Sequence, residues 1–133
     1  MWSLLKDMKE FFKAIKGDKF FHPFPLTDET ITKILGAEKD IYHFIKDGNK
    51  IIGMFILRGW DEGYHIPSFG MIVHPEYRGK GLGTFMLKEA IDICKKLKCE
   101  KVRLTVDKNN KIAINMYKRI GFKFNKGVGF KNL

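Results

Sequence analysis

The chain has 133 residues, of which 44% are hydrophobic and 30% are charged, and its formal net charge at pH 7 is +10. This length suits one domain with a core of its own, and it excludes a (β/α)₈ barrel. The composition is too apolar for a disordered chain, and the charge favours an anionic partner: a nucleic acid, an acidic membrane or a phosphate-bearing small molecule.

Cysteine usage and hydropathy narrow the class of protein. Cys94 and Cys99 are too few for a secreted disulfide scaffold, and with the four histidines they lack the spacing of a zinc site. No apolar run approaches the length of a membrane-spanning helix, and the first residues lack the basic and apolar regions of a signal peptide. We therefore expect a cytoplasmic protein that holds no metal.

The start of the chain is predicted to be helical. Residues 3–16 place apolar side chains at helical spacing opposite a charged face, which is typical of an amphipathic helix. Two prolines hold residues 20–25 extended, and Thr27 or Asp28 caps a second short helix that runs to Leu35. We expect these two helices to precede the first clear strand.

From residue 40 to residue 46, apolar and polar residues alternate, which is the pattern of a β-strand. Residues 40–46 and 50–58 are separated by a turn, and this pattern predicts a β-hairpin. A third strand is predicted over 64–73. Pro67 and Gly70 within it favour a bulge or a splay, because both residue types disturb a hydrogen-bonded ladder.

Helical periodicity returns over 81–98. The residues predicted for the apolar face of this helix are Leu82, Phe85, Met86, Ala90, Ile93, Cys94 and Leu97. A strand over 101–106, a helix from Asn109 to Ile120 and two short strands over 122–125 and 128–131 complete the chain. The element order indicates a mixed α/β (α+β) fold.

The most informative stretch joins the third strand to the long helix. Gly79, Gly81 and Gly83 occupy alternate positions, and Arg78 and Lys80 add positive charge. Glycine permits left-handed backbone and close approach, and free amides ahead of a helix N-terminus bind anions. The spacing matches neither the P-loop nor the dinucleotide-binding motif. The stretch therefore predicts a pyrophosphate site of another kind.

Two motifs resemble those of the GNAT superfamily of N-acetyltransferases. Arg78-Gly79-Lys80-Gly81-Leu82-Gly83 is similar to its Arg/Gln-x-x-Gly-x-Gly/Ala acyl-CoA loop, and Asn110-x-x-Ala113-x-x-x-Tyr117-x-x-x-Gly121-Phe122 is similar to its second signature. The resemblance implies a single N-acetyltransferase domain over 1–133, with a mixed, largely antiparallel central sheet, splayed fourth and fifth strands and flanking helices. It also implies an acetyl-CoA-binding core over 64–125 and a helical acceptor-side segment over 1–36.

The resemblance further implies roles for individual residues. Tyr117 is the expected general acid, which protonates the departing thiolate. An N–H group within 71–73 is expected to bind the developing oxyanion. The residues expected to bind acetyl-CoA are Met71, Ile72 and Val73 through main-chain groups, then Arg78, Gly79, Lys80, Gly81, Leu82, Gly83, Thr84 and Asn110.

Many members of the family place a glutamate on the third or fourth strand as the general base. This sequence differs, because the predicted strand over 64–73 contains no carboxylate. His65 is the expected base, acting directly or through water. Ser68 and His22 are expected to contact the acceptor. The N-terminal part departs as well, since it lacks a clear first strand unless one lies within 19–24.

Together these features predict an acetyl-CoA-dependent acyltransferase that acetylates a primary amine by direct transfer in a ternary complex. The positive charge and the aromatic segment favour a small, anionic acceptor, such as an amino sugar or a sugar nucleotide. A peptide α-amine, as in ribosomal-protein N-acetyltransferases, is an alternative. Competing classes are a non-catalytic nucleic-acid-binding domain and a membrane-surface protein that uses the first helix. We expect a monomer or homodimer that binds neither a membrane nor a nucleic acid.

Overall fold

A computed structural model describes residues 2–18 and 27–133. Its elements are α1 (Trp2–Ile15), α2 (Asp28–Leu35), β1 (Ile41–Asp47), β2 (Lys50–Arg58), β3 (Ser68–Val73), a 3₁₀ turn (Pro75–Tyr77), α3 (Leu82–Lys96), β4 (Lys101–Thr105), α4 (Lys111–Ile120), β5 (Lys123–Asn125) and β6 (Val128–Asn132). The strands form one sheet in the order β1-β2-β3-β4-β6-β5, in which β3 and β4 run parallel and the other neighbours antiparallel. The predicted mixed fold and its element order are confirmed.

Helices α1 and α2 cover one face of the sheet, which we call the α1/α2 face. The buried apolar side chains of the two helices are Met8, Phe11, Phe12, Ile15, Ile31 and Ile34. They form one cluster with sheet residues that include Met54, Ile56 and Ile72. The predicted amphipathic first helix is confirmed, and core packing occupies its apolar stripe.

Helices α3 and α4 cover the opposite face, the α3/α4 face. The buried residues of α3 are Met86, Leu87, Ala90, Ile91 and Cys94. The predicted stripe is wrong at Phe85, which is 50% exposed, and at Leu97, which is 55% exposed. At 3.6 residues per turn Phe85 projects away from the buried stripe, and Leu97 lies where the helix ends.

The predicted third strand starts too early. β3 begins at Ser68, directly after Pro67, whose ring nitrogen has no hydrogen to donate to a ladder. From Ser68 opposite Arg58, the β2–β3 pairing then runs without a register shift. The third strand thus has no bulge against β2, and the register shift of the hairpin lies between Ile45 and Lys46 of β1.

Strands β3 and β4 meet at one end and separate along their length. Ser68 lies opposite Arg103, and the Arg103 main-chain N–H donates to the Pro67 carbonyl oxygen at 3.0 Å. Among the described residues, no further pair of these two strands is in register. The predicted splay between the strands that correspond to the family's fourth and fifth is confirmed, and it opens a gap in the centre of the sheet.

Helix α4 starts after Asn110 rather than at Asn109. The Asn110 side-chain oxygen accepts a hydrogen bond from the Ala113 N–H at 3.3 Å, which satisfies one free amide of the first turn. Gly121 ends the helix with a φ of 114°, and the Phe122 N–H then donates to the Tyr117 carbonyl oxygen at 3.0 Å.

Three expectations fall on residues outside the described ranges. They are the extended segment over 20–25, a strand within 19–24 and the acceptor contact of His22. Within 2–18 and 27–133, no helix has both the length and the hydropathy needed to cross a membrane. The same ranges hold no group of three or more His, Cys, Asp or Glu side chains arranged for a metal ion.

Candidate active site

The gap between β3 and β4 opens into a cavity of about 990 Å³. This volume is at the upper end of the range for small-molecule sites. Most predicted site residues are brought together in its lining, which includes Ser68, Met71, Ile72, Val73, Arg78, Gly79, Gly81, Leu82, Gly83, Thr84, Asn110 and Tyr117. Lys80 and His65 are not among the described lining residues.

The cavity passes through the sheet. Successive side chains of a strand point to opposite faces. In β3, Phe69 packs in the cluster under α3 and α4, whereas Ile72 packs in the cluster under α1 and α2. Residues of both sets line the same cavity. A ligand in the gap can therefore be reached from both faces of the sheet.

The glycine loop and the first turn of α3 form one end of the cavity. Gly79 and Gly81 have φ angles of 75° and 83°, and no atom lies within 4 Å of the position a Cβ would take at either residue. Gly81 is the N-cap of α3, and no side chain caps the helix there. The amides of the first turn are therefore available to an anion, and the helix dipole favours negative charge at this point.

Gly83 has a different function from the two loop glycines. A Cβ at Gly83 would lie 3.2 Å from the Met71 Cε atom, so the absent side chain lets α3 pack closely on β3. Gly53 does the same on β2, where a Cβ would lie 3.1 Å from the Met86 Sδ atom. The two glycines bring the α3 N-terminus close to the gap.

Arg78 is held across the end of the gap. Its Nη2 atom donates to the Asp18 carboxylate at 2.6 Å, and its Nε atom donates to the Val73 carbonyl oxygen at 3.3 Å. Asp18 follows α1 and lines the cavity as well. Lys80 is exposed, and its Nζ atom lies 5.4 Å from the centre of the Tyr77 ring.

Main-chain groups of β3 face the gap at alternate residues. The His74 N–H donates to the Ile52 carbonyl oxygen of β2 at 2.8 Å, and N–H groups two residues apart in a strand point the same way. The Ile72 amide therefore points toward β2. The main-chain groups of Met71 and Val73 point toward the gap, where β4 has moved away.

Tyr117 lies on the α3/α4 side of the gap. Its side chain is 7% exposed and packs against the rings of Phe69, Phe122 and Phe124, with centroid distances of 6.5, 5.8 and 6.4 Å. Burial raises the pKa of Tyr117 to about 12. The phenol is therefore protonated at neutral pH and can act as a proton donor rather than an acceptor.

The opposite side of the gap carries a row of polar side chains. Arg58 is opposite Ser68 in the β2–β3 ladder, and Ser68 is opposite Arg103 in β3–β4. The Arg103 Nη1 atom donates to the Ser68 Oγ atom at 3.0 Å. All three residues line the cavity on the α1/α2 face.

His65 is exposed in the loop before β3. The carboxylates of the described lining are Asp18, which pairs with Arg78, and Asp107, which accepts the Asn109 N–H at 2.8 Å. Neither carboxylate belongs to β3. Apart from Asp18 and Asp107, the described lining contains no carboxylate, and it contains no imidazole.

Sequence reasoning missed the charged residues of the lining other than Arg78. They are Asp18, Arg58, Arg103, Asp107 and Arg119. Arg58 and Arg103 carry little signal in the sequence, because Arg58 ends its strand and Arg103 lies in a strand that alternates polar and apolar residues, as a strand with one exposed face does. Asp18 carries none, because its contact with Arg78 joins residues 60 positions apart.

Comparisons with known proteins agree with this geometry. The model of the acetyltransferase (GNAT) family matches residues 2–122. The chain is 25% identical over 132 residues to thialysine N-epsilon-acetyltransferase of Mus musculus, an alignment that covers 89% of this chain and 74% of that protein. It is 42% identical over 59 residues to spermine/spermidine N(1)-acetyltransferase of Bacillus subtilis (strain 168), covering 44% of this chain and 39% of that protein.

A solved structure shares the fold. The paia N-acetyltransferase from Thermoplasma acidophilum, in complex with coenzyme A, matches with a TM-score of 0.67 at 18% identity, over 99% of this chain and 92% of that one. The family match spans nearly the whole chain and includes both glycine-loop and Tyr117 motifs. The chain therefore belongs to the acetyltransferase (GNAT) family, and it is an N-acetyltransferase.

Proposed function

We propose that the chain transfers an acetyl group from acetyl-CoA to a primary amine of a small molecule, directly and in a ternary complex. The observation that carries this proposal is that the glycine loop, the splayed backbone of β3 and the Tyr117 side chain line one cavity. Residues 64–125 form the cofactor-binding core of this proposal, and residues 1–36 contribute to the acceptor side.

The residues at the loop fit the diphosphate of coenzyme A. Gly79 and Gly81 leave open the space that a Cβ would fill, and the uncapped first turn of α3 presents N–H groups at Leu82, Gly83 and Thr84. The main-chain groups of Met71 and Val73 would pair with the pantetheine arm in the gap. Acetyl-CoA supplies an activated acetyl group as its thioester.

Two groups of the chain act on the reacting atoms. As the amine nitrogen bonds to the acetyl carbon, the carbon–sulfur bond breaks and the sulfur takes a proton. In this proposal the Tyr117 hydroxyl donates that proton, and the Met71 N–H stabilises charge on the carbonyl oxygen. The amine loses its own proton to water. His65 could take part in that loss through water alone, because its side chain lies outside the described lining.

The placement of the described cysteines supports direct transfer. No cysteine belongs to the described lining of the cavity. Cys94 is fully buried, and burial raises the pKa of its thiol to about 12. A thiol in this state is a poor nucleophile, because thiolate is the reactive form. An acetyl-cysteine intermediate is therefore disfavoured.

The relatives named for particular amines differ in how much of this chain they match. The Bacillus subtilis enzyme named for spermine and spermidine aligns with under half of this chain, whereas the mouse enzyme named for thialysine aligns with most of it. The alignment with the Bacillus subtilis enzyme leaves more than half of this chain without a counterpart. We therefore do not extend polyamine specificity to this chain, and amino sugars and sugar nucleotides remain proposed acceptors alongside amino acids. Ser68 and His22 are proposed acceptor contacts.

A thiol-release assay tests this proposal. Acetyl-CoA consumption is measured against amino sugars, sugar nucleotides, amino acids, polyamines and peptides, each varied with acetyl-CoA in initial-rate experiments. Direct transfer predicts that double-reciprocal lines intersect. Parallel lines would instead show that an acetylated enzyme forms and would overturn the ternary-complex mechanism. Absence of transfer to every amine would overturn the proposed activity.

A further inference from the structure

Two arginines and a serine form a row at the end of the cavity that lies away from the glycine loop. Arg58, Ser68 and Arg103 occupy directly opposed positions on β2, β3 and β4, so their side chains emerge on the same face of the sheet. All three line the cavity. This row faces α1 and α2, whereas Tyr117 lies on the other side of the gap.

Arg103 is fixed in place by its own strand and by Ser68. Its main-chain N–H donates to the Pro67 carbonyl oxygen, and its Nη1 atom donates to the Ser68 Oγ atom at 3.0 Å. A guanidinium has five N–H donors, and Ser68 accepts from one of its terminal nitrogens. The half-buried side chain therefore presents further donors to the cavity in a fixed orientation.

The charge of Arg103 is not balanced by a carboxylate. Among the described residues it forms no ion pair, and the undescribed residues 19–26 contain neither Asp nor Glu. Asp18 and Asp107, the carboxylates of the described lining, are engaged by Arg78 and by the Asn109 N–H. Taking a guanidinium partly out of water without a counter-ion is costly, so an anionic group of a ligand is its natural partner.

The position next to this row is open. Gly70 is two residues from Ser68 on the same face, and no atom lies within 4 Å of the position its Cβ would take. Ile56, opposite Gly70 in the ladder, and Thr105 of β4 also line the cavity. Two residues of strand span about 7 Å. A ligand held at Arg103 would thus place atoms about 7 Å away beside the gap.

We infer that the acceptor amine carries a carboxylate or phosphate group about 7 Å from its reacting nitrogen, and that Arg103 binds this group with the charge of Arg58 beside it. This inference rests on the proposed function. The arginines have a second effect, because nearby positive charge disfavours the ammonium form of the acceptor. They therefore increase the neutral, nucleophilic fraction of the amine, and they disfavour polyamines, which carry several positive charges.

Matched acceptor pairs test the inference. The pairs are L-lysine with cadaverine, L-ornithine with putrescine, and glucosamine 6-phosphate with glucosamine, which differ in one anionic group. We expect kcat/KM to be higher for the anionic member of at least one pair by about tenfold or more, as expected for a charge-assisted contact. The first two pairs report on a carboxylate and the third reports on a phosphate. Equal use of both members in every pair, or preference for the amines without the group, would overturn the inference.

Substitution of Arg103 then assigns the effect to this residue. In R103Q the preference for the anionic member is expected to fall about tenfold or more, while R103K retains part of it because the charge remains. K101Q is the matched control. Lys101 lies on the same strand and face but is exposed and outside the described lining. A preference that is unchanged in both R103Q and R103K would overturn the inference.

Two further measurements separate this inference from the proposed function. Stabilisation of R103Q by coenzyme A in thermal unfolding is expected to equal that of the unmodified protein, which shows that fold and cofactor site are intact. If acetyl-CoA binds but no panel amine is acetylated, inorganic phosphate is titrated into the coenzyme A complex. Binding of phosphate to the unmodified protein but not to R103Q supports the inference. If phosphate does not bind to the unmodified protein, or binds equally to R103Q, the inference is overturned. Acetyl transfer without a preference for anionic acceptors would overturn this inference and would leave the proposed function intact.

Discussion

Ser68 and Arg103 face each other at the point where β3 and β4 part, with the Arg103 Nη1 atom 3.0 Å from the Ser68 Oγ atom. Among the described residues, this is the pair at which the two parallel strands are in register. Every element of the proposed mechanism lies within or beside the gap between β3 and β4. The pair thus connects the proposed acceptor side of the site with the splay in which we propose that the cofactor binds.

Y117F tests the proposed general acid. We expect kcat to fall by about 100-fold or more, because the sulfur loses its proton donor. Thermal stabilisation by coenzyme A is expected to persist, since the ring still packs against Phe69. Y64F removes a hydroxyl from a side chain that is 63% exposed and serves as control. An unchanged kcat in Y117F would show that the proton comes from elsewhere.

The pH dependence of kcat follows from the burial of Tyr117. Because burial raises its pKa to about 12, above the ordinary value of 10.0, the phenol remains protonated throughout the neutral and mildly alkaline range. At saturating acceptor, kcat should therefore show no decline from loss of this acid up to about pH 10. A decline centred near pH 8 that Y117F abolishes would contradict this expectation.

The left-handed backbone at Gly81 can be tested with a matched pair of variants. G81A and G48A both force alanine into a positive φ, 83° and 62° respectively, with no atom within 4 Å of either Cβ position. Each should cost about 1–2 kcal/mol of stability. Only G81A should weaken coenzyme A binding, by about tenfold or more in a calorimetric titration, because it alters the amide cradle. Equal affinity in the two variants would remove the loop from the cofactor site.

The Asp18–Arg78 ion pair places a negative charge next to the proposed diphosphate site. D18N releases the Arg78 Nη2 atom, while the Nε contact to the Val73 carbonyl oxygen still orients the side chain. We expect coenzyme A to bind up to about fivefold more tightly, because the Arg78 side chain is half exposed and solvent screens its charge. E76Q removes another loop carboxylate, paired with Lys50, and should have a smaller effect. Weaker binding in D18N would show that Asp18 positions Arg78 for the cofactor.

His74 gives the fold a pH-dependent contribution to stability. Its side chain is 6% exposed, and its Nδ1 atom accepts the Glu76 N–H at 3.1 Å. Burial, with the positive charges of Lys50 and Arg78, lowers its pKa below 6.5. As the pH falls, His74 is therefore protonated in the unfolded chain before it is protonated in the folded protein. Its contribution to the free energy of unfolding is fully present above about pH 6.5, and it declines as the pH falls toward the lowered pKa of the folded state.

H74Q removes this titration. We expect the free energy of unfolding of H74Q to vary less than that of the unmodified protein between about pH 7 and pH 5, as measured by urea titration at each pH. Comparing slopes rather than absolute stabilities removes any loss of packing that the substitution causes. The same slope in both proteins would place the pH dependence on other groups.

The sequence predicted those parts of the fold whose structure is determined by residues close to one another along the chain. The amphipathic stripe of α1, the Asn110-to-Gly121 helix motif and the alternating glycines before α3 are all short-range signals, and the structure contains the corresponding elements. The error at Phe85 has a different origin. An apolar residue near a predicted stripe does not reveal how the helix is rotated on its sheet, because that depends on the packing of the sheet itself.

The acceptor side could not be predicted in the same way. The row formed by Arg58, Ser68 and Arg103 exists only because three strands distant in sequence lie side by side. A sequence indicates that each strand forms, but it does not fix which residues are opposed. Cofactor loops are read from one continuous stretch, whereas acceptor sites are assembled from several elements. This explains why the sequence was more informative about the cofactor than about the acceptor.

We propose that coenzyme A lies in the gap between β3 and β4, with its diphosphate on the amides of the glycine loop. A crystal structure of the complex with coenzyme A is the decisive experiment. We expect diphosphate oxygens within hydrogen-bond distance of N–H groups over 79–84, and a pantetheine arm alongside Met71 and Val73. Coenzyme A bound elsewhere, with β3 and β4 closed against each other, would show that the gap is not the cofactor site.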